Sequence, residues 1–283
     1  MMFLGLEKVK PDRLNSNTCG MLTNNVFLLL QSALFCLTIN CTKLSIEDIE
    51  NYPGPPGNND STMTDTTSNI DPTENADTVV NIEDLSWLAL GDSYTIGHSV
   101  EEQERFPAQT ISLLEKYSLS IKTRQYIATT GWTTQNLLDA LADQNPQGPF
   151  DIVSLLIGVN DQYQHHDTTG YRDRFTECLE KAIALAGNKK DHVFVLSIPD
   201  YSVTPFAQNS DTDRVRKEID EFNAINKAIT LSFDISYTDI TPLTRETKND
   251  ASLIAADGLH PSGKEYAKWA ALLTEEITKI FKQ

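Results

Sequence analysis

Four short polar stretches carry the residue types that acyl chemistry needs. They are Gly91-Asp92-Ser93-Tyr94-Thr95-Ile96-Gly97, Ala128-Thr129-Thr130-Gly131-Trp132-Thr133, Gly158-Val159-Asn160-Asp161 and Asp257-Gly258-Leu259-His260-Pro261. A serine hydroxyl is a poor nucleophile until a base takes its proton, and the base works best when a carboxylate fixes its tautomer. Asp257 and His260 stand three apart across a turn, so the carboxylate can reach one imidazole nitrogen while the other points at Ser93. The oxyanion formed on attack needs hydrogen-bond donors. The backbone N–H groups of Ser93 and Gly131 and the side-chain amide of Asn160 are the candidates. At Gly131 the missing Cβ lets the backbone approach a ligand closely.

Each stretch alone has an ordinary explanation: Gly-Asp-Ser as a helix cap, Asp-x-x-His as a surface turn, Gly-x-Asn-Asp as a strand exit. What joins them is the fold that must hold them. Trp87 to Leu90, Phe150 to Ile157 and Val193 to Ile198 are near-continuous apolar runs, with weaker strands at Ile121 to Ile127 and Ile235 to Ile240. Such runs read as parallel strands covered on both faces.

Between them the apolar period becomes helical. Val215, Ile219, Phe222, Ile225 and Ile229 share one face, as do Phe175, Cys178, Leu179, Ala182, Ile183 and Ala186, stopped at Gly187. A last helix opens at capping-box spacing with Ser262 and Glu265 and runs through Tyr266, Trp269, Leu273, Ile277 and Ile280. The expected fold class is α/β, a three-layer α/β/α doubly wound domain over residues 84–283 with a five-stranded parallel sheet. Ligands in such folds bind at the carboxyl ends of the strands, where all four polar stretches fall.

At this point the chain resembles the SGNH, or GDSL-type, hydrolase superfamily of serine esterases and lipases. Ser93, Gly131, Asn160 and His260 match its blocks in order, with Asp257 three residues ahead of the histidine; the resemblance covers roughly Trp87 to Phe281. It implies a flavodoxin-like fold, Ser93 as nucleophile, His260 as base, Asp257 as its partner, and oxyanion donors from Ser93, Gly131 and Asn160. Tyr94 stands where the four-letter motif has leucine. No Gly-x-Ser-x-Gly elbow surrounds Ser93, which argues against the α/β-hydrolase fold despite the shared order of serine, aspartate and histidine.

Tyr94, Trp132 and Tyr163, with Tyr201, are candidates for substrate contact, packing against the sheet being the alternative. His98, five residues after Ser93, reads as a solvated loop histidine, the alternatives being a place at the pocket mouth or a competing base. His165 and His166 make a poor metal pair, because adjacent side chains point apart. No metal and no organic cofactor is expected. Asp92 and Asp161 read as helix caps or loop fasteners, Cys178 as a core residue. Asp200, at the end of the fourth strand, has no role readable from sequence.

Acids outnumber bases 40 to 23, a formal charge of −17, which disfavours nucleic-acid partners because they are held by Lys and Arg. Cys19, Cys36, Cys41 and Cys178 form no disulfide framework. Val26 to Ile39 is a 14-residue mostly apolar run behind Lys8, Lys10 and Arg13. It is short for a membrane span but right for the apolar stretch of an export signal. Cys41 follows it, as in a bacterial lipoprotein signal, although Asn40 occupies a position where a small residue is expected. Residues 1–41 are therefore expected to be an export or lipoprotein-like segment, placing the protein in the periplasm or at the cell surface, with membrane attachment through a lipid at Cys41 or through the apolar run. Residues 42–83, acidic and rich in Pro, Ser, Thr and Asn, are expected to form a disordered linker.

The expected activity is hydrolysis of a small ester (acyl, carbohydrate or lysolipid) through an acyl-serine intermediate. The alternatives are a non-catalytic binding module on the same fold, or an acyltransferase or carbohydrate O-deacetylase using the same residues.

Overall fold

In the computed structural model, residues 83–282 are described. The apolar run, Cys41 and the acidic stretch up to residue 82 lie outside the described residues. Five strands, β1 (Glu83–Asp92), β2 (Leu119–Thr129), β3 (Ile152–Leu156), β4 (Val193–Leu196) and β5 (Ser236–Thr238), form one sheet in the order β2-β1-β3-β4-β5. Every pairing is parallel. This is the flavodoxin-like strand order, with β1 and β3 adjacent at the point where the order reverses.

The strands read as continuous apolar runs are those in the middle of the sheet. All five residues of β3 and all four of β4 are buried. β2 is an edge strand with an exposed centre, so its sequence carries polar residues that blur its ends, and it runs two residues past the expected span at each end. β1 begins at Glu83, the last residue assigned to the linker, and shifts register between Leu85 and Ser86.

The helices fall into two packed groups. α2 (Phe106–Leu114) lies on α8 (Gly263–Phe281); α3 (Thr134–Gln144) lies on α5 (Tyr171–Leu185), which in turn meets α6 (Thr212–Ser232). Cys178 is fully buried in α5, as its place on the apolar face requires. Ser262 caps α8 by accepting from the Glu265 N–H at 3.4 Å, but the second half of the expected capping box is missing. The buried Glu265 side chain instead takes the Trp269 indole N–H at 2.9 Å and pairs with Lys268 at 2.7 Å. A buried carboxylate needs such partners more than the helix end needs the reciprocal cap. Short helices α1 (Ser93–Ile96), α4 (Val159–His165) and α7 (Thr241–Thr244) sit at strand exits. Among the described residues, no helix is long and apolar enough to cross a membrane.

Candidate active site

Strand register brings the polar stretches together. Asp92 and Thr129, the last residues of β1 and β2, are paired, so Ser93 and Thr130 leave the sheet side by side. Gly91 pairs with Leu156 at the end of β3, and Asn160 follows in the first turn of α4. Gly91 is demanded by crowding, since a Cβ there would strike the Thr95 side chain and the Leu156 carbonyl. Asp92 caps α1 by accepting from Tyr94 N–H at 2.9 Å. Asp161 fastens the neighbouring loop, accepting from Thr134 N–H at 2.8 Å and from its hydroxyl at 2.6 Å. Both acids thus fill the fastening roles expected of them.

The Asp257–His260 turn lies just ahead of α8. Asp257 Oδ1 accepts from the Leu259 and His260 N–H groups, both at 3.0 Å, which folds the turn. Its Oδ2 lies 2.6 Å from His260 Nδ1 and accepts from Ser99 Oγ at 2.7 Å. Partial burial works against ionisation of Asp257, but the donors from Leu259, His260 and Ser99 outweigh it and hold the carboxyl well below its usual range. His260 is buried; loss of hydration lowers its pKa, the Asp257 contact opposes that, and nearby His98 lowers it further. An imidazole so held keeps Nε2 as a proton acceptor.

Ser93 and His260 are both buried and line one pocket. No hydrogen bond joins them in the structure; bonds of this kind are commonly long before substrate is present. Gly131 and Asn160 line the same pocket. Gly131 has φ +84°, and a Cβ there would meet nothing within 4 Å, so the left-handed backbone requires the glycine and no protein neighbour crowds it. The Asn160 amide donates to the Trp132 carbonyl at 3.0 Å and, at a longer 3.4 Å, to Asp92 Oδ2.

The cavity measures about 110 Å³ and is walled by Tyr94, Val159, Tyr163, Tyr201, Phe206 and Leu259. The rings of Tyr163, Tyr201 and Phe206 pack on one another with centroids 5.9 to 6.2 Å apart. Tyr94 lines the pocket, and its ring centroid lies 5.0 Å from that of His260 and 6.4 Å from that of Trp269. Trp132 is not among the residues lining this pocket, and its half-buried side chain packs against the core, the alternative weighed for it. It serves the site through its carbonyl.

The model of the GDSL-like lipase/acylhydrolase family matches residues 89–268, well over half of the chain and all four polar stretches. The chain belongs to this family. It is accordingly an ester-bond hydrolase. No curated protein matches the sequence significantly. Among solved structures, the domain is similar to a lipolytic G-D-S-L family protein from Veillonella parvula, at 20% identity and TM-score 0.51, covering 70% of this chain and 98% of that one. It is also similar to a psychrotrophic esterase from Pseudoalteromonas sp. inhibited by monoethylphosphonate, at 15% identity and TM-score 0.54, covering 71% and 100%. A third is an acetylxylan esterase from Geobacillus stearothermophilus, at 21% identity and TM-score 0.50, covering 69% and 95%. At these identities the likeness is one of fold.

Two residues of this GDSL-like hydrolase escaped the sequence reading. Phe206 stands in the 3₁₀ turn Pro205–Ala207, and its N–H bonds the Gly258 carbonyl at 3.0 Å, tying the aromatic wall to the His260 turn. An apolar ring in a polar loop after β4 was the available signal. Ser99 gave none, because its partner lies 158 residues away. His98 is exposed, with its ring centroid 4.8 Å from that of His260 and Nδ1 3.0 Å from Thr130 Oγ1. His98, Asp257 and His260 form the one group among the described residues with the types and spacing to hold a metal ion, their ligand atoms lying within 4.8 Å of one another. His165 is not part of it, and His166 pairs with Glu218 at 3.1 Å. Asp200, unassigned from sequence, is buried, caps the turn Tyr201–Val203 and pairs with Arg245 at 2.8 Å.

Proposed function

We propose that the protein hydrolyses short-chain carboxylic esters through an acyl-Ser93 intermediate. His260 Nε2 takes the Ser93 proton as Oγ bonds to the ester carbon. Asp257 holds the ring in the required tautomer and stabilises the imidazolium. The carbonyl oxygen, now an oxyanion, accepts from the N–H groups of Ser93 and Gly131 and from the Asn160 amide. The carbon–alkoxy bond then breaks and the alcohol leaves with the proton from His260. Water, deprotonated by the same imidazole, attacks the acyl-enzyme, and Ser93 is returned. No metal or organic cofactor enters these steps.

The observation that carries this reading is the 2.6 Å contact of Asp257 with His260 Nδ1, in a pocket that Ser93, Gly131 and Asn160 also line. The acyl group is assigned to the apolar side, against Val159, Tyr163, Tyr201 and Phe206. The alcohol leaves past His260 and the polar, exposed His98 and Thr130. A cavity of about 110 Å³ is smaller than the roughly 150 Å³ that accepts a benzene ring, which favours acyl groups of about two to four carbons. Residues 1–41 are read as the export segment that delivers the hydrolase to the periplasm or cell surface. A mature chain beginning at Cys41 and carrying a lipid, detected by mass spectrometry of the expressed protein, tests that part.

The activity is tested with p-nitrophenyl acetate, butyrate and octanoate on the full chain and on Ser93→Ala. Acetate and butyrate are hydrolysed faster than octanoate, and all turnover is lost in the variant. A folded protein that cleaves none of the three, or a variant that keeps its rates, contradicts the proposal.

A further inference from the structure

Ser99 lies on the loop after α1 with φ +68°, in the left-handed region that serine rarely adopts. Its side chain is exposed, so packing does not explain the conformation. What the conformation delivers is a hydroxyl aimed at Asp257 Oδ2, the oxygen that also meets His260 Nδ1. The preceding residue, His98, is tied to Thr130, so this stretch of the α1 loop is fastened to both the β2 exit and the Asp257 turn. Among the described residues, Ser99 and His260 are the only side chains that hydrogen-bond the Asp257 carboxylate.

We infer that Ser99 is a positioning residue for the Asp257–His260 pair, an assignment that rests on the triad reading above. Oδ1 is already pinned by two backbone donors. Ser99 gives Oδ2 a second partner beside the imidazole, which restrains the carboxylate from swinging off Nδ1. Its hydrogen bond also draws charge from Oδ2 and moderates the pull of Asp257 on the imidazolium, keeping His260 neutral and competent as a base at lower pH. The other titratable groups facing the pair are His98 from the same loop, Tyr94 from α1 and Tyr266 from α8, with the buried Asp92 and Asp200 near Tyr94. None of these donates a hydrogen bond to Asp257.

The test uses Ser99→Gly and Ser99→Ala in the full chain. Glycine adopts φ +68° freely, so Ser99→Gly keeps the loop while removing the hydroxyl. Its melting temperature is expected to equal or exceed that of the wild type. In both variants kcat/KM on p-nitrophenyl acetate falls about fivefold, mainly through kcat, the size of one net hydrogen bond. The acidic limb of the pH profile moves to higher pH. The His260 imidazole, followed by NMR titration with Ser93→Ala as the background, shifts in the same direction. That readout needs no turnover, so it stands apart from any failure of Ser93 as nucleophile. A limb and a titration that stay in place, or move down, in a stably folded Ser99→Gly protein overturn the assignment.

Discussion

The Asn160 side chain donates to the Trp132 carbonyl at 3.0 Å, locking the exit of β3 to the exit of β2. One amide hydrogen is thereby committed. The longer 3.4 Å bond to Asp92 Oδ2 is the weaker of the two, and is the one that an oxyanion would replace. Asn160→Ala should therefore lower kcat by about 10²–10³ with little change in KM. Steady-state kinetics on p-nitrophenyl acetate give the answer, and an unchanged kcat would remove Asn160 from the oxyanion site.

Phe206 closes the far wall of a small cavity and is itself 46% exposed, so its removal opens the acyl side without breaking the core. For Phe206→Ala the ratio of octanoate to acetate kcat/KM should rise about tenfold, the order of one or two methylenes newly accommodated. A ratio equal to that of the wild type would mean the acyl chain lies elsewhere.

The proposed base, His260, can take a proton only when it is neutral. Burial holds its pKa below the ordinary 6.5, with His98 adding to the effect and Asp257 opposing it. Activity should therefore rise with pH and reach half its plateau below pH 6.5. A kcat/KM profile whose acidic limb falls above that value would show that the charge of Asp257 prevails over burial.

Burial pushes the Asp92 carboxyl up to about 7, with Asp161 adding to the rise and the Tyr94 N–H and Asn160 amide opposing it. In the unfolded chain the group titrates near its ordinary 3.8. Between the two values the folded state holds a proton that the unfolded state has released, so this group costs stability as pH rises, fully so above about 7. Asp92→Asn lacks the titration and keeps an oxygen to cap Tyr94. Its melting temperature relative to wild type should climb between pH 4 and 8. A difference independent of pH would count against the raised value.

How much of this was legible in the sequence depended on where each interaction is made. β3 and β4 are buried on both faces, so their residues have no choice but to be apolar and they read plainly. β2, half exposed at the edge, and β5, three residues long, gave blurred boundaries. Asp257 and His260 stand three apart, and their pairing follows from local turn geometry. Ser99 and Phe206 act on that turn from 158 and 52 residues away, through contacts that only the closed fold creates. Gly131 stands out in the sequence because a missing Cβ lets the backbone approach a ligand; the fold adds a second reason, a φ of +84° that other residues rarely adopt. Trp132 stands among the aromatics around the polar loops, with substrate contact and packing both open in the sequence, and it is half-buried against the core.

The proposed chemistry makes Ser93 a nucleophile activated by His260. Incubating the full chain with a fluorophosphonate, followed by peptide mapping, tests it without assuming a substrate. A single phosphonyl adduct on Ser93, absent from Ser93→Ala and strongly slowed in His260→Ala, is the predicted result. A folded protein that takes no label, or takes it on another residue, would contradict the account.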